Sequence, residues 1–241
     1  MPEYQMEREF ELEIGGVDER RMARPSTIVG MMQELATCHA EELGLDKAAW
    51  ETSRAFWVLS RLKYHINRPL MQHEVIRAVT WPRMIRGALW YRDFRFFVGE
   101  EEVGYAVTGW AIIDVDHHRL VRPTALGLNV PDQIDGITEQ LSQIRCKDLE
   151  PAFERTVRYS DIDVNHHLNN VKAIDILTDA IGLEENPDWY VTEMTVNYKA
   201  ETECGTLLTL LRKQEEDGIT LQAKAGEEEK LQAHVVIRTQ K

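Results

Sequence analysis

Residues 168–183 have the sequence LNNVKAIDILTDAIGL, in which apolar side chains return every three or four positions. This spacing places them along one face of a helix, and the glycine after the last turn is typical of a helix end. Residues 28–45, IVGMMQELATCHAEELGL, repeat the pattern and also end in Gly-Leu. We therefore predict helices over residues 27–43 and 168–181, each with one apolar face to bury.

Segments whose apolar side chains alternate surround both predicted helices, and alternation is typical of half-buried strands. In the first half they are residues 4–14, 56–66, 73–81 ending at Trp81-Pro82, and a hairpin of 90–98 with 103–115. In the second half they are residues 156–160, 194–198 and 206–212, and a hairpin of 220–225 with 231–239. The order strand, helix, antiparallel strands thus occurs twice.

This internal repeat predicts an α+β fold of two modules. Each half is too small to bury its helix well alone, so we expect the halves to pack as a pseudo-dimer. Two unrelated α+β domains are the alternative interpretation. Residues 131–150 have mixed polarity and contain a proline and a glycine. We interpret them as a linker between an N-terminal domain, 1–130, and a C-terminal domain, 151–241.

The chain of 241 residues carries a formal net charge of −13. Such a charge repels phosphate backbones and anionic lipid, which disfavours generic nucleic-acid or membrane-surface binding. No apolar run approaches the roughly 18 residues of a membrane span. The acidic start has no apolar targeting segment, and three widely spaced cysteines do not suggest a disulfide framework. We expect a cytoplasmic protein.

A polar run, SDIDVNHHLNN, occupies residues 160–170 between a predicted strand and the second helix. One helix start needs only one capping residue, so this surplus of carboxylate, amide and imidazole groups indicates a site. Alternate residues of an extended chain share a side. The run therefore predicts one polar face, lining a cleft, that consists of Asp161, Asp163, Asn165 and His167.

Such a face suits hydrolysis of an activated carbonyl. A histidine exchanges protons near neutral pH, an amide can hold the carbonyl or a water, and N–H groups at a helix start favour a developing oxyanion. The first helix begins with Arg24-Pro25-Ser26-Thr27, where Ser26 or Thr27 can cap it but no histidine or asparagine is present. One reactive site per chain is predicted.

Sequence motifs of several other enzyme classes are missing. The chain has no Gly-x-Ser-x-Gly elbow, glycine-rich phosphate loop or Cys-x-x-Cys pair. His117 and His118 adjoin in a turn after Asp114 and Asp116, which we interpret as a solvated loop and not as a metal site. We expect neither a metal nor a cofactor.

Residues 160–172, SDIDVNHHLNNVK, resemble the signature of the acyl-acyl-carrier-protein (acyl-ACP) thioesterases, the plant plastid enzymes and their bacterial relatives. The signature is Ser-Asp-x-Asp-x-Asn-x-His-x-Asn-Asn-x-Lys, and every fixed position is met. Residues 194–201, MTVNYKAE, resemble the family strand that ends in a catalytic glutamate. Weaker similarities in the first half are Trp57–Arg61, Asn67–Pro69 and the hairpin end Ala111–Arg122, so the resemblance covers nearly the whole chain.

The resemblance implies a double hotdog fold, in which an antiparallel sheet wraps a long helix twice per chain. It also implies hydrolysis of the thioester between a fatty acyl chain and the phosphopantetheine arm of acyl carrier protein, which ends chain elongation. The family's catalytic set falls on Asp163, Asn165, His167 and Glu201. In our hypothesis Glu201 and His167 activate water, Asn165 orients the water or the carbonyl, and Asp163 holds the Asn165 amide.

We expect these groups to converge on one buried pocket open to an apolar slot. Water can attack a thioester directly, but the sequence leaves a side-chain nucleophile open. Plant members have a cysteine directly after the glutamate, whereas Thr202 stands here and Cys204 follows two residues later. We interpret Cys204 as a small buried apolar residue.

Two sets of residues are candidates for substrate binding. The resemblance implies an acyl tunnel in the N-terminal half, where Met31, Met32 and Trp57 either line it or fill the core. Acyl carrier protein is acidic and needs local positive charge to dock. The candidate docking groups, among them Arg86 and Lys172, are Arg83, Arg86 and Arg92 in the first half and Arg158, Lys172 and Lys199 around the polar run.

Alternatives to an acyl-ACP thioesterase remain at this stage. They are an acyl-CoA thioesterase of hotdog type, a non-catalytic acyl-binding sensor, and a hotdog dehydratase, which would not need the asparagine. Reversal of the charge on Arg86 or Lys172 would separate the first of these from an enzyme acting on the carrier protein. The acyl chain length, its unsaturation and the presence of a homodimer are left open.

Overall fold

In the computed structural model, residues 4–44, 55–114, 116–117, 119–121, 136–137 and 139–240 are described. The N-terminal module contains helix α1 (Pro25–Glu42) and strands β1 (Met6–Glu11), β2 (Ala55–Ile66), β3 (Val75–Arg86), β4 (Leu89–Val98), β5 (Glu101–Asp114) and β6 (Arg119–Val121). The C-terminal module contains helix α2 (Asn170–Asp179) and strands β7 (Glu150–Thr156), β8 (Trp189–Tyr198), β9 (Leu207–Glu215), β10 (Gly218–Ala225) and β11 (Glu228–Thr239).

The strands form one antiparallel sheet in the order β1-β3-β4-β5-β2-β8-β11-β10-β9-β7, with β6 beside β5. Strands β2 and β8 join the modules, with Arg61 opposite Asn197 and His65 opposite Glu193. The strand order of the C-terminal module mirrors that of the N-terminal module. A helix lies against antiparallel strands in each, so the predicted α+β repeat is confirmed.

One apolar core runs through both modules beneath the helices. Leu35 of α1 and Ile174 and Leu177 of α2 are fully buried, as their helical spacing predicts. Burial of one such side chain contributes about 1.5–3 kcal/mol. Because α1 and α2 contact each other, the start of each helix has a fixed place relative to the other module.

The segment before each helix follows the same backbone path in both modules. Val17 pairs with Ala23 as Ile162 pairs with Leu168, which closes two loops that we call the 17–23 loop and the 162–168 loop. A second hydrogen bond inside each loop also matches. Asp18 N–H donates to the carbonyl of Met22 (2.8 Å), and Asp163 N–H donates to that of His167 (2.9 Å).

A segment that follows β2 in one module and β8 in the other completes each loop. Ala23 N–H donates to the carbonyl of Leu70 (2.8 Å), and Leu168 N–H donates to that of Thr202 (2.7 Å). The hydrogen bonds therefore define equivalent positions in the two modules. Asp163, Asn165, His167 and Glu201 correspond in turn to Asp18, Arg20, Met22 and Pro69.

Three local predictions are wrong. Strand β3 does not stop at Trp81-Pro82 but continues to Arg86, because a register shift between Pro82 and Ile85 accommodates the missing N–H. Strand β7 ends at Thr156, and a 3-10 turn follows at Tyr159–Asp161. Helix α1 starts at Pro25 after an Arg24 that makes no side-chain cap.

Apart from Glu150, which begins β7, the described part of the predicted linker contains neither helix nor strand, but it packs on the sheet. Leu141 is buried against Tyr91 and Val107. The Arg61 guanidinium donates to the Leu141 carbonyl over 3.0 Å. The division into domains 1–130 and 151–241 stays a prediction. None of the described helices is both long and apolar enough to span a membrane.

Candidate active site

The 162–168 loop is a closed turn and not an extended strand. Its ends pair, and His166 has a left-handed backbone with φ of 66°. The prediction that four alternate side chains share one polar face is therefore wrong. Asp161 points inward, where it is only 3% exposed. The Arg155 guanidinium donates to one of its carboxylate oxygens (2.9 Å), and the Arg158 N–H donates to the other (2.9 Å).

Asp163 and Asn165 do contact each other, but through the main chain. Asp163 Oδ1 accepts the backbone N–H of Asn165 over 2.8 Å. We expected the carboxylate to hold the Asn165 side-chain amide, and this hydrogen bond instead fixes the turn that carries Asn165. The Asn165 side chain lies at the exposed tip of the loop.

His167 and Glu201 come together, as the sequence predicts. His167 pairs with Glu203 across the gap between the loop and the segment after β8. This places His167 Nε2 at 3.3 Å from Glu201 Oε2. The His167 side chain is 31% exposed and that of Glu201 is 55% exposed, so the pair lies at an open surface and not in the buried pocket that we expected.

Asn169 and Asn170 serve the start of helix α2. Asn169 Oδ1 accepts the N–H of Val171 over 2.8 Å and caps the helix. The Tyr198 hydroxyl donates to the Asn170 carbonyl over 3.1 Å, and burial raises the pKa of Tyr198 far above its usual range. The Asn169 side chain and the Asn170 main chain thus belong to the helix start, whereas the Asn165 side chain is exposed at the tip of the loop.

Lys230 is a residue of this site that the sequence analysis missed. It lies near the start of strand β11, and its ammonium group donates to the Glu201 carbonyl over 2.7 Å. In the sequence it ends the run GEEEK, residues 226–230, which has the pattern of a solvated turn. No local signal distinguishes it, since its contact is with a residue far away in the chain.

A cleft of about 380 Å³ lies between helix α1 and the start of helix α2. Met31, Val171 and Lys172 are among the residues that line it. Met32 instead packs into the core, where it is 2% exposed. Trp57 lies against Trp90, with ring centroids 5.1 Å apart. Of the predicted substrate-binding residues, the described contacts therefore bring Met31 and Lys172 to one cleft.

The prediction that Arg83, Arg86 and Arg92 together form a basic docking surface is wrong. Arg92 is 8% exposed and shares a hydrogen bond of 2.9 Å with His39, whose burial lowers its pKa to about 4. Arg83 pairs with the buried Asp93 at 3.3 Å, and burial raises the pKa of Asp93 to about 6. Only Arg86 of the three is exposed.

Around the 162–168 loop the expected positive groups do reach the surface. They are the exposed side chains of Arg158, Lys172 and Lys199. Lys172 makes one weak contact, at 3.5 Å from Asp175. These exposed cations flank the 162–168 loop and Glu201 along the sequence, in a chain that is acidic as a whole.

Cys204 does not have the buried place that we expected. It is exposed, while Thr202 is 3% exposed. The two residues lie at a turn after β8, where the ladder ends, so the alternation of a strand no longer relates them. Cys204 Sγ contacts the Val157 carbonyl at 4.0 Å.

Among the described residues, Glu215, Asp217 and His234 could hold a metal ion, with ligand atoms all within 4.8 Å of one another. Glu215 and Asp217 lie at the β9–β10 turn, and His234 lies on the adjacent strand β11. The Thr220 hydroxyl donates to Glu215 over 2.6 Å and lies 3.2 Å from His234. These internal contacts account for two of the three groups, and none of them belongs to the 162–168 loop.

Comparison with protein-family models identifies both modules. Residues 3–125 match the model described as the acyl-ACP thioesterase N-terminal domain, and residues 147–241 match the acyl-ACP thioesterase C-terminal domain. The chain belongs to the acyl-ACP thioesterase family. The resemblance that was stated from residues 160–172 and 194–201 is thereby confirmed.

Curated members of this family from plants are similar at low identity. An oleoyl-acyl carrier protein thioesterase of Coriandrum sativum is 22% identical over 225 residues, which cover 85% of this chain and 61% of that protein. A palmitoyl-acyl carrier protein thioesterase of Arabidopsis thaliana is 25% identical over 209 residues, 77% of this chain and 48% of that protein. The chain thus spans about half to three fifths of their length.

Solved structures of acyl-ACP thioesterases share the fold over nearly their whole length. The enzyme from Bacteroides thetaiotaomicron superposes with a TM-score of 0.86 at 23% identity and covers 98% of both chains. The 12:0-ACP thioesterase from Umbellularia californica gives a TM-score of 0.82 at 18% identity, over 100% of this chain and 99% of that chain. The double hotdog fold is therefore confirmed.

Proposed function

We propose that the chain is a thioesterase that hydrolyses fatty acyl-acyl-carrier-protein to a free fatty acid and the holo carrier protein. The observation that carries this proposal is the contact of 3.3 Å between His167 and Glu201. It joins the two parts of the family's sequence signature, from separate segments, at the start of helix α2. Membership of the acyl-ACP thioesterase family supports the same conclusion.

In the proposed reaction, water attacks the thioester carbonyl. The His167–Glu201 pair takes the proton of the attacking water, since an imidazole held by a carboxylate can accept it near neutral pH. Collapse of the tetrahedral intermediate breaks the carbon–sulfur bond. The phosphopantetheine thiolate leaves and takes up that proton, so acid and thiol are formed without a covalent enzyme intermediate.

Asn165 is proposed to orient the water or the thioester carbonyl with its side-chain amide. Asp163 supports it indirectly, because its hydrogen bond to the Asn165 N–H holds the turn in shape. This differs from the role expected from the sequence, where Asp163 acted on the amide itself. A group fixed in this way loses little entropy when the substrate reacts.

The two modules are proposed to act as an internal pseudo-dimer that divides the labour. The N-terminal module, 1–130, binds the acyl chain, with Met31 lining its path and Met32 and Trp57 packed behind it, and the C-terminal module, 151–241, carries the catalytic groups, with 131–150 between them. Met31 lines the cleft that reaches the start of α2, which supports this arrangement. Arg86 and Lys172 are proposed to dock the carrier protein.

An acyl-CoA thioesterase is the second candidate. The exposed Arg158, Lys172 and Lys199 favour an anionic partner, and both an acidic carrier protein and the phosphates of coenzyme A meet that requirement. Replacement K172E should reduce activity on acyl-ACP far more than on acyl-CoA, because a protein partner covers more of this surface. Equal losses on both substrates would favour the acyl-CoA enzyme.

The direct test is incubation with acyl carrier proteins that carry acyl chains of different length and saturation, followed by mass spectrometry of the released acids. We expect release of free acid by the native chain and loss of release in the E201Q variant. Tight binding of the acylated carrier protein without any release would instead identify a sensor and contradict the proposal.

A further inference from the structure

A buried ammonium group lies directly beneath the turn that carries Glu201. Lys230 is 8% exposed, and its Nζ donates to the Glu201 carbonyl over 2.7 Å. The same Nζ lies 2.8 Å from Glu228 Oε2. The Lys230 main chain also holds this turn, since its carbonyl accepts the Lys199 N–H over 2.9 Å.

The N-terminal module shows what the fold alone requires at this position. Asn67 lies two residues before Pro69, as Lys199 lies two residues before Glu201. Asn67 N–H donates to the Val103 carbonyl over 2.8 Å, so Val103 is the counterpart of Lys230. Val103 is fully buried. An apolar side chain therefore satisfies the packing of this strand end, and the ammonium is not needed to form it.

A buried cation is costly unless hydrogen bonds and an opposite charge compensate it. At equivalent positions, the N-terminal module has Val103 and Pro69, whereas the C-terminal module has Lys230 and Glu201. A proline restrains its own turn by fixing φ, whereas a glutamate does not. The lysine thus supplies, in the C-terminal module, a restraint that Pro69 provides by itself in the other.

We infer that Lys230 is a positioning residue that acts through Glu201: its ammonium fixes the Glu201 carbonyl and so holds the Glu201 carboxylate against His167. The inference rests on the proposed thioesterase function. Lys230 itself contacts a main-chain oxygen and not the imidazole, so its effect must pass through the placement of Glu201.

The test compares K230M with the native chain, with E201A and with the double variant K230M/E201A on the preferred acyl-ACP. Methionine keeps the apolar stem and removes the donor. We expect kcat to fall about 10- to 100-fold in K230M, as for a small misplacement of a reacting group, while KM changes less than about twofold. In the E201A background, K230M should have no further effect on kcat.

The matched control is K224M, which removes an equal charge from the neighbouring strand β10, where the Lys224 ammonium lies 3.6 Å from the exposed Glu227 carboxylate. Its kcat should stay within about twofold of the native value, the size of an exposed ion-pair effect. A native kcat in K230M, or an added tenfold loss in the E201A background, would overturn the inference.

Hydrogen exchange separates this inference from the proposed function. Amides of residues 199–203 should exchange faster in K230M than in the native chain, and unchanged exchange would overturn the tether whatever the activity. A native chain that releases no acid would contradict the thioesterase alone. Should K230M fail to fold, E228Q is the second variant, because it removes the carboxylate charge that pairs with the Lys230 ammonium. In E228Q kcat should fall about two- to fivefold.

Discussion

The 162–168 loop and the 17–23 loop have one backbone path and two different uses. In both, an aspartate side chain accepts the N–H two residues later, Asp163 over 2.8 Å and Asp18 over 2.9 Å. The residue that follows this aspartate by two is Asn165 in one loop and Arg20 in the other. The shared hydrogen bonds form the loop, so they do not by themselves make a site.

Arg20 shows what the N-terminal loop does instead. Its guanidinium binds the Asp18 carboxylate and also donates to the carbonyls of Pro187 and Trp189, before and at the start of strand β8. The loop therefore braces one module against the other. In this chain the two loops differ in use because Asn165, His167 and Glu201 stand at the positions of Arg20, Met22 and Pro69.

The largest expected effect tests that combination directly. Replacement H167A should lower kcat by about 10²- to 10⁴-fold, because it removes the group that accepts the proton of the attacking water. Steady-state hydrolysis of acyl-ACP by purified variants measures it.

Glu203 offers the control for this prediction, since it is an exposed acid two positions after Glu201. Replacement E203Q should leave kcat within about twofold of the native value, as expected for an exposed acid that takes no part in the chemistry. Similar losses in H167A and E203Q would show that general disturbance of the turn, and not the chemistry of the pair, is being measured.

The second prediction concerns how the two loops are anchored. Asn169 N–H donates to the Asp161 carbonyl as Arg24 N–H donates to that of Gly16, so a glycine takes the place of Asp161 in the N-terminal module. Replacement D161N should reduce the free energy of unfolding by about 1.5–3 kcal/mol, since charge-assisted hydrogen bonds from Arg155 and the Arg158 N–H are weakened.

Urea unfolding of D161N and of the native chain measures this difference. R155M serves as the complementary variant, because it removes the cation from the same pair at 2.9 Å. If neither replacement changes the unfolding midpoint, the carboxylate does not stabilise the loop, and the comparison with Gly16 loses its energetic meaning.

The smallest expected effect lies at the two helix starts. Asn169 caps α2 with its side chain, whereas Arg24 makes no cap on α1. Replacement N169A should destabilise the chain by about 1 kcal/mol, while R24A should change stability by less than about 0.5 kcal/mol. Thermal unfolding compares the two, and equal shifts would contradict the assignment of the cap.

Much of the fold follows from local patterns in the sequence. Helical spacing in residues 168–181 and alternation in β2, β8 and both hairpins are strong because each records one buried face. The pairing of His167 with Glu201 was also predicted, although only through the resemblance. These features depend on neighbours in the chain or on a signature.

The features that were missed depend on contacts between distant segments. The 162–168 loop turns back because the Leu168 N–H donates to the Thr202 carbonyl. The sequence of the loop itself contains no signal for this distant partner. Arginine is usually a surface residue, yet both faces of β4 are covered around Arg92, and its side chain is buried. Lys230 ends an acidic run and still turns inward to Glu201.

The ends of the sheet set a limit on self-association. Strand β1 has the sequence MEREFE and strand β7 the sequence EPAFERT, and they are the first and last strands of the order. Charged side chains and a proline on an outer strand oppose the addition of a strand from another molecule. Growth into filaments by edge pairing is thereby discouraged, although the central β2–β8 seam uses that same kind of pairing.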